Sequence, residues 1–402
     1  MELRRSVPKI AGRHRTVPVA ETWERIRPHL RRAGVTRLAD ITGLDRVGVP
    51  VYSAVAPRSG DLYHGKGLTR LDARTSAAME AIERFSAVLP MRPAMVASYA
   101  ELIAEGRAAF DPRDHSWTLA PGYTDDWPIS WVEGWELISA TTVLVPYAAA
   151  GFHTAPHEPS PFRITTTNGL ASGNSLEEAI VHALCEIVER DASTLAGLVG
   201  GALAAAMGDA STRLDHHRLV DPGAVSPLAG ATAERFAGAG VRLRLLDITS
   251  DLGVPTFLAV AAGDESRASG AGTHPDAGTA ALRAITECAQ GRAARFQGLR
   301  DDLGEDDPAG WVWDITSPTV PPPTSYPSDD LAADLSFLLD RVRDRGLGRA
   351  IVVDLSPPGI PAHVVRVLVP GTESWHIDRS KLGLRGAAAW NDAVRRTAGP
   401  TS

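Results

Sequence analysis

The sequence predicts an α+β fold, with mixed β-sheets packed against helices, and three observations carry that expectation. Short β-rich runs bounded by glycine and proline recur along the chain, and some come in adjacent pairs. Longer stretches with helical spacing of apolar residues lie between them. Three times, a glycine-rich loop feeds directly into an acidic helix. With 402 residues and 44% hydrophobic content, the chain supports a sizeable buried core in one large domain or two.

The first segment, roughly Val17 to Leu44, has helical spacing around Trp23, Ile26, Leu30 and Val35. A strand follows at Val49 to Val55, and Gly65-Lys66-Gly67 leads into a helix from about Asp72 to Val88. A turn-rich stretch, Ala108 to Pro128, precedes a strand at Thr142 to Val145. The loop Thr165 to Asn174 feeds a second helix ending near Asp191, opened by a capping box of Ser175 and Glu178. Strands at Val241 to Ile248 and Pro255 to Ala261 come next. Gly270 to Pro275 introduces a third helix, with Pro275 in its first turn. The proline-rich stretch Ser317 to Ser328 is a surface loop, and strands at Ala350 to Leu355 and His363 to Val369 close the ordered part.

Composition excludes several classes. The formal charge is −7, from 48 acidic and 41 basic residues, which argues against binding nucleic acid through net charge. Cys185 and Cys288 have no C-x-x-C partner, so neither a disulfide framework nor a zinc site is indicated. The basic start lacks the apolar region of a secretory signal. The longest apolar run, Leu195 to Met207, falls short of the ~20 residues of a membrane span. The expectation is a cytoplasmic protein with no membrane partner.

The acidic helices carry the chemistry. Ser76, Glu80, Glu83 and Arg84 fall on one side of the first helix, opposite Ala77, Met79, Ile82 and Phe85. The second repeats the same E-x-x-E-R with Glu186, Glu189 and Arg190, and the third carries Glu287, Gln290 and Arg292. Taken singly, such a face is a solvated helix side. Its recurrence within strongly apolar flanks argues for buried carboxylates, which need cations. Mg2+ takes oxygen ligands, usually one or two carboxylates plus substrate phosphates. Glu80, Glu83, Glu186 and Glu189, joined by Glu287, could therefore hold metal ions against a triphosphate. Gly65-Lys66-Gly67 and Thr167-Asn168-Gly169 permit close approach to an anion, although neither is a Walker A loop. No G-x-S-x-G elbow is present, and His274 reads as a residue that orients its loop. Cys185 and Cys288 read as packing residues.

These residues resemble the YcaO family. The resemblance lies in Gly65 to Thr69 with Ser76 to Arg84, then Asn168 to Asn174 with Cys185 to Arg190. It continues in Gly270 to His274 with Thr286 to Arg292, and ends in Val364-Val365-Arg366-Val367-Leu368-Val369-Pro370-Gly371. These segments follow the family's order across about residues 15 to 375. The resemblance implies an ATP-dependent enzyme that modifies a peptide backbone: a nucleophile adds to an amide, ATP phosphorylates its oxygen, and phosphate is expelled. It implies Mg2+ on Glu80, Glu83, Glu186, Glu189 and Glu287, and ATP contacts from Lys66, Ser76, Asn168, Asn174, Arg190, Gln290 and Arg292. Glu83, Glu189 and Arg190 would be catalytic. The implied division is an N-terminal extension over 1–58, a YcaO catalytic domain over 59–375 and a C-terminal tail over 376–402.

The branch is less sharply marked. Many azoline-forming members end in a proline-rich tail, whereas this sequence ends Ala398-Gly399-Pro400-Thr401-Ser402. Nor is there room before residue 60 for a full leader-binding domain. The layout looks more like members that form thioamides beside a TfuA-like protein, acting on a ribosomal precursor peptide. Azoline or amidine formation is the alternative. An ATP-binding accessory factor for ribosomal-protein modification is the alternative of another class. A separate leader-binding partner and a homodimer are further expectations of the resemblance.

Overall fold

A computed structural model of the chain describes residues 1–10, 14–57, 61–152, 160–208, 217–263, 267–298, 312–313, 315–375 and 377–397. They form two compact units: Met1–Val17, Ile82–Asp191 and Asp329–Ala387 in unit 1, and Pro18–Ala81, Ala192–Ser328 and Ala388–Ser402 in unit 2. Among the described residues, the α-helices of eight residues or more are α1 (Val19–Ile26), α2 (Arg70–Ala87), α3 (Leu176–Leu195), α4 (Pro227–Gly238), α5 (Ala277–Phe296), α6 (Leu331–Asp344) and α7 (Leu384–Thr397). The α+β expectation holds, and the pairing of the described strands is antiparallel.

Unit 2 holds two sheets. One has the order β1-β2-β3, with β1 at Arg37–Asp40, β2 at Val51–Ala56 and β3 at Asp61–Lys66. The other has the order β11-β10-β9-β8. It joins β8 (Arg218–Val220), β9 (Arg242–Asp247), β10 (Thr256–Ala262) and β11 (Arg267–Thr273). A core of Phe236, Leu245, Phe257, Ile285 and small alanines of α5 seals the second sheet. The apolar run expected near Leu195 is helical, with Val199 and Leu203 buried. No helix among the described residues is long and apolar enough to cross a membrane.

Unit 1 is built on one sheet of order β4-β5-β12-β13-β7, with β6 paired to β5. Its strands are Met95–Ala97, Ile129–Glu136, Thr141–Pro146, Leu170–Gly173, Ile351–Asp354 and His363–Leu368 for β4, β5, β6, β7, β12 and β13. Trp117 and Trp131 are fully buried in unit 1; the Trp131 indole N–H donates to Ala97 O at 2.9 Å, whereas the Trp117 indole N–H has no partner among the described residues.

Each of the three glycine-rich stretches contains an edge strand: Gly65 lies in β3, Gly173 in β7, and Gly270 and Gly272 in β11, whereas Gly67 and Thr165 to Gly169 lie outside the strands as expected of a loop. Each strand sits at the edge of its sheet and turns into the helix that packs on it. The glycines are there because strand and helix backbones touch. A Cβ on Gly65 would lie 2.0 Å from Ala77 N, on Gly173 2.6 Å from Ala179 N, and on Gly270 2.3 Å from Cys288 N. Only glycine permits such an approach.

Two further expectations are corrected locally. The helix expected over Val17 to Leu44 covers Val19–Ile26 and tightens into a 3-10 turn at Arg27–His29; Gly34 then turns at φ +80° and Arg37–Asp40 pairs with β2. Pro275 precedes the N-cap of α5 rather than filling its first turn, since Asp276 caps Thr279 N at 2.7 Å. Half of the expected capping box is present in α3. Ser175 Oγ accepts Glu178 N–H at 3.2 Å, whereas the Glu178 carboxylate is occupied by Arg15, Thr16 and Asn174.

Candidate functional site

In unit 1, the E-x-x-E-R of α3 turns Glu189 inward, at 4% exposed, while Glu186 and Arg190 stay half-buried and face each other at 3.8 Å. From the end of α2, Glu83 is buried at 8% exposed. A solvated helix face does not bury its carboxylates in this way, so the apolar flanks act as the sequence reading anticipated. Asn168 precedes β7. Its N–H donates to Thr166 Oγ1 at 3.2 Å and its carbonyl accepts from Arg366 Nη1 at 2.7 Å. The Asn174 amide donates to Glu178 Oε1 at 2.9 Å, which fixes the entry to α3.

Arg366 was not singled out by residue-type reasoning, although a charge inside the apolar run V-V-R-V was a signal. It is fully buried on β13 and also donates to Ala150 O at 3.3 Å and Gly151 O at 3.4 Å. Burial pulls its pKa down to about 10, Glu186 and Glu83 act to raise it, and Arg84 acts to lower it. A buried guanidinium thus bears on two of the glutamates marked out by the sequence. Asp191 was also missed. It directly follows Arg190, is fully buried, and takes bonds from Arg385 Nε at 2.9 Å and Glu373 N at 3.0 Å.

In unit 2, Lys66 at the end of β3 meets Glu287 of α5 at 2.5 Å, joining two sequence-marked residues from distant parts of the chain. Ser76, Glu80 and Gln290 are half-buried on α2 and α5. Arg292 is 1% exposed and forms a two-pronged pair with Asp45, at 2.9 and 3.0 Å. In this structure its guanidinium is thereby engaged in the interior. His274 Nδ1 accepts Asp276 N–H at 3.0 Å, which holds the α5 cap and matches the orienting role read from sequence. Both cysteines are buried, and burial pushes the Cys288 thiol up to about 12, as befits packing residues.

The comparisons with known proteins decide the family. Residues 64–373 match the family model described as YcaO cyclodehydratase, ATP- and Mg2+-binding. This chain belongs to the YcaO family. An uncharacterized protein from the tfuA 3′ region of Rhizobium leguminosarum bv. trifolii is 35% identical over 398 residues, covering 92% of each chain. An uncharacterized protein of Methanothermobacter thermautotrophicus is also 35% identical, over 91% of this chain and 97% of its own. Among solved structures, YcaO from Methanopyrus kandleri, bound with AMPPCP and Mg2+, superimposes with TM-score 0.70 and 27% identity over 94% of this chain and 98% of that one. A heterocyclase in complex with substrate and cofactor gives TM-score 0.75 and 26% identity over 93% of this chain, which spans 54% of that heterocyclase.

ATP and Mg2+ are thus the ligands of this family, and the donor set suits them. The marked acidic residues are glutamates, hard oxygen donors of the kind Mg2+ takes. Asn168 Oδ1 is buried without a hydrogen-bond partner among the described residues. Among the described residues, no group of three or more His, Cys, Asp or Glu is gathered for a metal. Mg2+ usually keeps waters and substrate phosphates beside one or two carboxylates.

Proposed function

We propose that the protein activates a backbone amide of a ribosomally made peptide by ATP-dependent O-phosphorylation, and that its product is a thioamide. The burial of Glu83 and Glu189 inside a family-matched E-x-x-E-R pair carries the reading. In unit 1, Glu83, Glu186 and Glu189 are the proposed Mg2+ ligands, with Arg190, Asn168 and Asn174 toward ATP. In unit 2, Glu80 and Glu287 are proposed for Mg2+, and Lys66, Ser76, Gln290 and Arg292 for ATP. When bound, Mg2+ would offset charge on the transferring phosphoryl group.

The chain's own part is to bind, orient and balance charge. Glu83 and Glu189 bring their carboxylates to buried positions on their helices. Arg190 offers a planar, permanently charged donor to phosphate oxygens. Lys66, now paired with Glu287, would exchange that partner for phosphate. Sulfide adds to the amide carbon, the amide oxygen takes the γ-phosphoryl group with ADP leaving, and loss of phosphate and a proton leaves C=S. Amide, hydrosulfide and ATP thereby become thioamide, ADP and phosphate.

The relative from the tfuA 3′ region supports a TfuA-like partner for sulfur delivery and favours thioamidation. The likeness to a heterocyclase supports azoline formation as the second reading. A homodimer in the cytoplasm belongs to the same proposal. Glu83→Gln and Glu189→Gln should each lower peptide-dependent phosphate release at least about 100-fold, the scale of losing an electrostatic contact to the transition state, with unchanged circular dichroism. Full activity in both variants would remove the metal-site assignment. Wild-type protein that releases no phosphate with any candidate peptide and sulfide source would favour the accessory role.

A further inference from the structure

Within unit 1, Arg366 interrupts the apolar run Val364-Val365-Arg366-Val367 on a strand that lies between β12 and β7. The side chain is fully buried, and burial brings its pKa down to about 10, so it stays charged at neutral pH. A buried charge is costlier to place there than another valine. What it supplies is a planar fork that reaches two chain segments at once. Nη1 donates to Asn168 O at 2.7 Å, while Nε and Nη2 donate to Ala150 O at 3.3 Å and Gly151 O at 3.4 Å.

One of those segments is anchored. The Phe152 N–H, next to Gly151, donates to Ala87 O at 2.9 Å, at the end of the helix that carries Glu83. The Trp117 ring lies against the guanidinium, its centre 5.8 Å away. The other segment needs fixing. Gly169 sits at φ +76°, where a Cβ would come to 2.2 Å from Val367 O, so the position requires glycine. Glycine adopts either sign of φ, and local preference therefore does not set which way the Asn168–Gly169 peptide faces. The bond from Arg366 to Asn168 O does set it, and the Val367 N–H, donating to Gly169 O at 2.8 Å, holds the next peptide. We propose that Arg366 is a positioning residue for Asn168: its bond to the Asn168 carbonyl selects the peptide orientation that presents the Asn168 side chain to the nucleotide. The inference rests on the role proposed above for Asn168 toward ATP.

Titration of the full chain with AMPPCP and Mg2+ tests it. Arg366→Lys keeps the positive charge but not the planar fork, and should weaken binding about tenfold. Asn168→Ala should weaken it about tenfold or more. Because Arg366 acts through Asn168, the double variant should bind as Asn168→Ala does, a coupling that a general loss of packing would not produce. Additive losses, or wild-type affinity in Arg366→Lys, would overturn the positioning role. Wild-type affinity in Asn168→Ala would instead remove the Asn168 role on which it rests. A crystal structure of the wild-type complex with AMPPCP and Mg2+ gives the answer even if Arg366→Lys does not fold. Arg366 Nη1 is expected within about 3.2 Å of Asn168 O, with the Asn168 amide on the nucleotide or its metal. A complex in which that bond is broken would overturn the proposal.

Discussion

His115 couples burial to pH. Desolvation, then the charges of Arg366 and Lys381, hold its pKa well below the ordinary 6.5, so the folded protein keeps it neutral where the unfolded chain protonates it. The unfolded state then binds more protons, and stability present above about pH 6.5 declines as pH falls. His115→Phe should flatten that decline between about pH 7 and 5 relative to wild type, read by urea midpoints at several pH values. Parallel profiles for the two proteins would contradict it. Carboxylates such as Glu177, held near 2 by its bonds to Arg4 despite burial, titrate lower and cancel in the comparison. Residue chemistry was unevenly legible. The repeated glutamates were visible because they share one spacing. Arg366, Asp191 and Asp45 were not, because their partners lie far along the chain: Arg366 on Asn168 O, Asp191 on Arg385, Asp45 on Arg292.

At the level of elements, the repeated unit is a glycine-bearing edge strand followed by the helix that lies on it. The sequence showed its period but not its form. Glycine lowers strand propensity, so Gly65, Gly173 and Gly270 read as loop residues. What keeps them extended is the contact with the following helix, a tertiary effect invisible to local pattern. The consequence is a sharp difference among glycines. Gly65→Ala places a Cβ 2.0 Å from Ala77 N and 2.3 Å from Ala73 O, so backbone must move. A loss of about 2 kcal/mol or more is expected. Gly43→Ala meets no heavy atom within 4 Å and should change stability by about 0.5 kcal/mol or less. Chemical denaturation of both variants checks this, and equal losses would contradict it. The strands β2, β9, β10 and β13 fell close to the strand-like runs expected at Val49 to Val55, Val241 to Ile248, Pro255 to Ala261 and His363 to Val369. The helix ends expected near Val88 and Asp191 lie at Ala87 and Leu195.

For the whole molecule, family membership rests on matches spanning most of the chain, and ATP with Mg2+ follows from it. The nucleophile does not, because sulfide, a side-chain thiol or hydroxyl, and an amine all use the same activated amide. The central claim is therefore the activation itself. A candidate precursor peptide carrying heavy oxygen in its backbone amides, incubated with protein, ATP, Mg2+ and sulfide, tests it most directly. Mass spectrometry should find one heavy oxygen in the inorganic phosphate for each modified residue, because the departing phosphate carries the amide oxygen away. Modified peptide accompanied only by unlabelled phosphate would contradict O-phosphorylation of the amide.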